Sequence, residues 1–465
     1  MPAGRWPGGG AIDGPPINRR VLLGAAGAGA LAALSSGSNP AHATTGFGGT
    51  AQATVGADNL PLIDGNTFPI GIFWPPPPLE TTIERYQEIA EAGFTFVISG
   101  NYLLDRYILN HAMKWADETG LAYLVADDWR LLDMMHTHSI TETGAGFLEM
   151  STAEARAVVQ QLIGSFQAHR SFAGISFYDE PDPQKFQTIG RAFELFRKVS
   201  PGRLPYTNLH ARTSINRDSL RSFIEIVRPS LISFDHYPLF TDRIDQTWFQ
   251  NWANVRAAGL EHNLPMWTYI LSVPHLGYRA PTKAELLWQV NVSLAYGCKG
   301  IQYFTYWTPD PARGEGYAGR EGAMITQDGQ RTERYESAKE INNTWLSRVG
   351  RQLKPLTSES VSVANLLATP PAGLPAFQPG EIVEGTLGIR SFSVDSPGRT
   401  RPPGGCWSST TRSTVKPGHA APSGPPSPGT ESTCSIRLPR HTRLSGPPAD
   451  DLTWCSIQGR HPCFG

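Results

Sequence analysis

"FPIGIFWPPPPLETTIERYQEIAEAGFTFVIS", residues 68–99, sets the pattern on which the fold rests. An apolar run, Phe68–Trp74, stops at a row of prolines. A stretch of helical period follows, with Ile83, Tyr86, Ile89 and Ala90 on one face and Gly93 placed to end it. A second run rich in β-branched and aromatic residues then begins at Phe94. That is strand, helix, strand. The turn after the first strand carries "WPPPP" and no glycine-rich phosphate loop, which argues against a dinucleotide-binding open sheet.

The same rhythm continues outward from this unit. Further candidate strands are Phe94–Ser99, Leu121–Ala126, Phe172–Tyr178, Leu204–Asn208, Leu231–Asp235, Met266–Ile270 and Gly300–Tyr306. Between them, "TAEARAVVQQLIGSFQAH", "QKFQTIGRAFELFRKVS" and "PTKAELLWQVNVSLAYG" read as amphipathic helices, the last opening on Pro and closing on Gly. Eight strand–helix units over about 290 residues give the count and length of a (β/α)8 TIM barrel, spanning residues 66–356.

A barrel of this kind does its chemistry at the C-terminal ends of the strands. The residues expected there are Trp74; Asn101 and Tyr102; Asp127, Asp128 and Trp129; Tyr178, Asp179 and Glu180; Asn208 and His210; Asp235, His236 and Tyr237; Tyr269; and Tyr306 and Trp307. Aromatic faces interleaved with carboxylates and amides suit a sugar, whose apolar ring faces stack while its hydroxyls take paired hydrogen bonds. On this reading Trp74, Tyr178, Tyr237, Tyr269, Tyr306 and Trp307 are candidate platforms. Asn101, Asp128, Asn208 and His210 are candidate hydroxyl readers. A metal at Asp235, His236 and His210 is the rival use of such side chains, but no HExxH or paired-His spacing supports one, and no cofactor is expected.

Within that ring "GISFYDEPDP", residues 174–183, stands out, because Asp179 and Glu180 sit side by side where a buried strand stops. Adjacent acids repel, and a neighbouring charge with partial burial favours the protonated form that an acid catalyst needs near neutral pH. Successive strand residues point to opposite faces, so both acids reach one ligand only where the strand gives way, and Pro181 and Pro183 favour such a break. A helix cap would explain Asp182 but neither of its acidic neighbours.

"FYDEP" resembles the end of strand four in the glycoside hydrolase barrels of the β-galactosidase and cellulase superfamily (clan A), with DEP in place of the usual NEP. "LAYGCKGIQYFTYW", with the helix-rich stretch up to Leu356, resembles that group's strand-eight region. The resemblance implies a glycosidase with Glu180 as general acid/base. The group's nucleophile is a Glu at the end of strand seven, and "MWTYILSVPHLG" has no carboxylate there. Asp235 is then the favoured second carboxylate of an inverting enzyme, with Asp127 or Asp128 as alternatives, and inversion needs about 6.5–9.5 Å between the two groups. Alternatively, Asp179 and Glu180 act together as in substrate-assisted N-acetylhexosaminidases. A non-catalytic glycan-binding barrel is the rival of another class.

The flanks carry different signals. Residues 1–43 contain Arg19–Arg20, an apolar run of roughly 14 residues and an A-x-A site, the pattern of a twin-arginine export signal and a secreted protein. That run is shorter than the ~20 residues a membrane span needs, so no membrane association is expected after cleavage. Residues 44–65 read as a linker and 357–394 as the opening of a small β-domain. Residues 395–465 lose all periodicity and carry Cys406, Cys434, Cys455 and Cys463, as a disordered or frameshifted tail would. The formal net charge of −1 offers no basic excess for nucleic acid. Carbohydrate is the expected partner, and oligomeric state stays open.

Overall fold

A computed structural model describes residues 59–211, 215–313, 322–362 and 370–376. The export signal, most of the linker, most of the expected β-domain and the Cys-containing tail lie outside the described residues.

The described chain is a (β/α)8 barrel. Its strands are β1 (Ile70–Phe73), β2 (Phe96–Ile98), β3 (Ala122–Val125), β4 (Phe172–Asp179), β5 (Leu204–His210), β6 (Ile232–Asp235), β7 (Met266–Leu271) and β8 (Gly300–Phe304). Each pairs in parallel with the next, and β8 closes on β1 through Ile70↔Ile301 to Phe73↔Phe304. All eight coincide with the apolar runs expected from the sequence. Parallel strands covered on both faces read as nearly continuous apolar segments, and that is why these were conspicuous.

The outer helices include α1 (Ile83–Glu91), α2 (Arg106–Thr119), α3 (Thr152–Phe166), α4 (Phe186–Val199), α5 (Arg217–Val227), α6 (Thr247–His262), α7 (Lys283–Ala295) and α8 (Glu333–Glu340). Their starts are written locally. Thr82 caps α1, and Ser151–Glu154 and Thr282–Glu285 form reciprocal capping boxes at α3 and α7. Asp182 precedes a short turn, Pro183–Lys185, and makes no side-chain cap bond there.

The interior is filled in layers. At the floor, the Phe96 and Trp267 rings meet with centroids 5.4 Å apart. They fit because Gly71 and Gly300 stand opposite: an added Cβ would come within 2.3 Å of Phe96 and 2.6 Å of Trp267. Above them lies a polar layer of Tyr206, Ser233, Gln302 and Tyr269, and above that the mouth. Below the floor two lysines clasp the chain after the last barrel helix. Lys299 Nζ donates to the carbonyls of Leu353, at 2.8 Å, and Leu356, and Lys354 Nζ to those of Gly65 and Thr67, the latter at 2.9 Å.

Candidate active site

The site begins with an irregularity in β4. Ser176 pairs with Tyr206, but the next partners are Tyr178↔Thr207 and Asp179↔Asn208, so Phe177 is an extra residue bulged out of the ladder. Without that bulge Tyr178 would stand beside Asn208; with it, Asp179 does. The strand ends at once, because Glu180 takes a left-handed conformation, φ +51°, while its N–H donates to the Asn208 carbonyl at 2.9 Å. The break anticipated from the prolines thus occurs at Glu180 itself.

Left-handed backbone is uncommon for residues other than glycine and gathers at functional sites. Among the described residues Trp74, Asn101, Tyr102, Asp127 and Glu180 all adopt it, each just beyond the end of a barrel strand. The strain is concentrated at the mouth.

Three carboxyls converge there. Asn208 Nδ2 donates to Asp235 Oδ1 at 2.8 Å and lies 3.5 Å from Asp179 Oδ1. The charge of Glu180 bears on Asp235 as that of Asp179 does. Asp235 is buried, and its carboxyl is pushed well above the usual carboxylate range, first by burial and then by Glu180 and Asp179. The Asp179 carboxyl is also raised, by the protein around it at the mouth and by the charges of Glu180 and Asp127, while Asn208 opposes the shift. Water does reach the Asp179 side chain, which moderates the enclosure but not the repulsion. At neutral pH such a cluster retains a proton. Glu180, exposed at the rim, is the member best placed to present one to a ligand.

Beside Asp235 opens a polar cleft of about 270 Å³, lined by residues that include His210, His236, Tyr237, Asp245, Asn251 and Tyr278. His236 is fixed on both ring nitrogens, Nε2 to Asp245 at 3.1 Å and Nδ1 to the Asn251 amide at 2.9 Å. That contact, with further bonds from Thr247, holds the Asp245 carboxyl well below its usual range. On the opposite flank His136 lies flat on Tyr178, centroids 4.3 Å apart.

Several expected roles change on this geometry. Asp235 is buried with Oδ1 taken by the Asn208 amide and the charges of Glu180 and Asp179 bearing on it, a setting that favours the protonated form over the ionised base an inverting enzyme needs. Asp128 faces away: it is fully buried, caps the turn Trp129–Leu132 and holds Arg130 at 2.7 Å. Its neighbour Asp127 is the one whose charge reaches Asp179. Tyr306 is fully buried behind the barrel, its hydroxyl donating to Glu88 of α1 at 3.2 Å. Trp307 lies beneath the Arg85 guanidinium, 5.1 Å from the ring centroid, and is almost wholly covered. Neither is an open sugar platform.

Trp74, Tyr237 and Tyr269 stand on the mouth side but are buried, Tyr237 stacked on Phe304 with centroids 5.7 Å apart. Asn101 is buried and directs its amide to the Pro75 carbonyl at 2.7 Å, holding a loop in place. Asn208 and His210 do stand at the mouth, and Tyr178 is half-buried there. Among the described residues no group of three or more His, Cys, Asp or Glu side chains is arranged to hold a metal ion. The sequence reading overlooked His136, Asn251, Phe304, His275 and Tyr278. Only Phe304, inside a recognised strand, carried a signal that could have found it.

No protein-family model and no curated protein sequence matches this chain. Solved structures do. A β-glucuronidase from Ruminococcus gnavus in complex with D-glucuronic acid is similar at 11% identity and a TM-score of 0.41, over 59% of this chain and 49% of that one. The match therefore spans about half of the glucuronidase. Xylanase 10B from Thermotoga petrophila RKU-1, in complex with xylobiose, matches at 13% identity and a TM-score of 0.39, over 63% of this chain and 99% of that one. The endo-β-1,4-mannanase from Thermotoga petrophila matches at 11% identity and 0.42, over 60% and 77%. All three are named as glycoside-cleaving enzymes; the barrel assignment itself rests on the closed strand pairing described above.

Proposed function

We propose that this protein is a glycoside hydrolase, acting on an oligo- or polysaccharide, with Glu180 as general acid. The observation that carries the reading is the gathering of Glu180, Asp179 and Asp235 around Asn208 at the open end of the barrel, with Glu180 on strained backbone. A solvent-facing Glu180, flanked by Asp179 and the buried Asp235, stands where a general acid would meet a glycosidic oxygen. The polar cleft beyond it offers amide, hydroxyl, imidazole and carboxylate groups, which suit sugar hydroxyls.

A second reading is favoured by β7, which bears no carboxylate, and by the bulge that turns Asp179 toward the axis. Together they suit a substrate-assisted N-acetylhexosaminidase, in which Glu180 protonates the leaving oxygen and Asp179 orients the 2-acetamido group of the sugar. Export by the twin-arginine route belongs to the same proposal, since such an enzyme meets its polymer outside the cell.

The test is hydrolysis of a panel of aryl glycosides, including galactosides, arabinosides and N-acetylhexosaminides, by the full chain and by Glu180→Gln. Activity lost in the variant supports the glycosidase, and a response confined to N-acetyl sugars selects the substrate-assisted form. Silence of the folded wild type on every substrate, with retention on a glycan array, would replace the proposal by a glycan-binding barrel.

A further inference from the structure

Below the acid cluster a line of hydrogen bonds runs down the barrel axis, made by side chains that alternate inward along β5, β6 and β8. Gln302 Nε2 donates to the Tyr206 hydroxyl at 2.7 Å. Tyr206 and Ser233 share a bond of 2.7 Å, and Ser233 Oγ donates to Asn208 Oδ1 at 2.9 Å. Asn208 Nδ2 then donates to Asp235 at 2.8 Å. All of these side chains are buried except Asp179 and Glu180 at the top.

The direction of this line is determined by its ends. A Tyr206 oxygen that receives from Gln302 has its own proton left for Ser233, and a Ser233 oxygen that receives from Tyr206 has its own left for Asn208. Asn208 must then turn its nitrogen upward. Reversal would aim the Asn208 carbonyl oxygen at Asp179, acceptor against acceptor, and would spend the Asp235 proton on Asn208. With Asp235 Oδ1 occupied as an acceptor, the proton of the Asp235 carboxyl belongs on its other oxygen.

We infer that Ser233, Tyr206 and Gln302 are positioning residues: their one-way relay holds the Asn208 amide nitrogen-upward, and the held amide keeps the proton of the Asp235 carboxyl on the oxygen away from Asn208. None of the three touches a ligand. The charged and titratable groups around Asp235 are Glu180 and Asp179 from β4, His210 alongside on β5, His236 and Asp245 beyond β6, and Tyr206 and Tyr269 beneath. Of these, only Tyr206 belongs to the relay. The inference deepens the reading of Glu180 as the proton donor and adds the groups that fix the proton of the neighbouring Asp235.

The test reads the proton directly and needs no turnover. The full chain is labelled with ¹³C at the aspartate side-chain carboxyls and titrated by NMR, the Asp235 signal being identified by its loss in Asp235→Asn. Ser233→Ala frees the Asn208 amide to turn and should raise the pH at which Asp235 loses its proton by about one unit. Tyr206→Phe, which leaves Ser233 able to donate, should move it the same way by less. Asn208→Ala sets the upper limit of the shift. Titration of Asp235 unchanged in both Ser233→Ala and Tyr206→Phe, or moved downward, would overturn the relay; should one variant fail to fold, the other decides. Because the glycoside panel is read separately, loss of the enzymatic reading with the shift intact would leave the relay standing.

Discussion

The backbone N–H of Glu180 reaches the carbonyl of Asn208 across 2.9 Å while Glu180 itself sits at φ +51°. One hydrogen bond therefore holds the proposed proton donor in a conformation its side chain disfavours, over the residue that orients the other two acids. Strain and like charge accumulate at a single point, as expected where stability is traded for chemistry.

Replacing Glu180 separates these effects. Glu180→Gln should reduce glycoside turnover by about 10²–10⁴-fold, the range of a general acid, with the fold retained. Glu180→Gly should be equally inactive yet more stable than Glu180→Gln by about 1 kcal/mol, because glycine adopts the left-handed region freely. Denaturant unfolding of the two variants checks the order.

Glu88 offers the contrary case, an acid that serves stability alone. It is buried and bonded by Arg331 at 2.5 Å, Arg85 at 3.1 Å and the Tyr306 hydroxyl at 3.2 Å, joining α1 to the segment after β8. Glu88→Ala removes the carboxylate that Arg85 and Arg331 share, but both keep other partners and reach water, so the cost should be about 1–3 kcal/mol. The measurement is again equilibrium unfolding, with the Asp235 titration unchanged in the surviving folded protein.

Two glycines should respond oppositely to alanine. A Cβ on Gly174 in β4 would stand 2.0 Å from the Leu204 carbonyl oxygen, so Gly174→Ala must part β4 from β5 just below the bulge. Gly164, inside α3, has open space where an added Cβ would stand, with no atom within 4 Å, and Gly164→Ala should stabilise by about 0.5–1 kcal/mol. Melting temperatures moving in opposite directions would bear this out.

His275 sets a pH dependence of stability. It is buried among Tyr237, Tyr278 and Phe304, and burial lowers its pKa to about 4 against 6.5 for an ordinary histidine. The unfolded chain then binds the proton more tightly than the folded one. Its contribution is fully present above pH 6.5 and is lost as the pH falls from there toward 4, on the order of 3 kcal/mol in all. His275→Asn should flatten that decline in unfolding experiments between those two values.

What the sequence disclosed follows from the physics of each part. Eight buried strands show as apolar runs because both faces are covered, and Asp179–Glu180 show because charge at the end of such a run is costly. The bulge at Phe177 cannot be read from one strand, since it exists only in the register with β5. Ser233, Tyr206 and Gln302 were hidden for the reverse reason: single polar residues inside apolar strands do not disturb the pattern. Tyr306 and Trp307 were misread because the side a residue faces at a strand end depends on a shift of one position, and theirs turns them toward α1 and its Arg85. Asp128 was misread in place of Asp127, whose left-handed backbone swings the next residue into a cap.

Finally, the lysine clasp has a practical consequence. Lys299 lies just before β8 and Thr67 just before β1, so the segment around Leu353–Leu356 is tied to the end of the barrel opposite the acids. The Phe96–Trp267 floor stands between the two. An affinity handle, a fluorophore or a solid support attached near Leu356 would therefore leave the open end pointing outward. Immobilised there, the protein would present its cup to a polymer in solution much as a tethered bucket faces the stream.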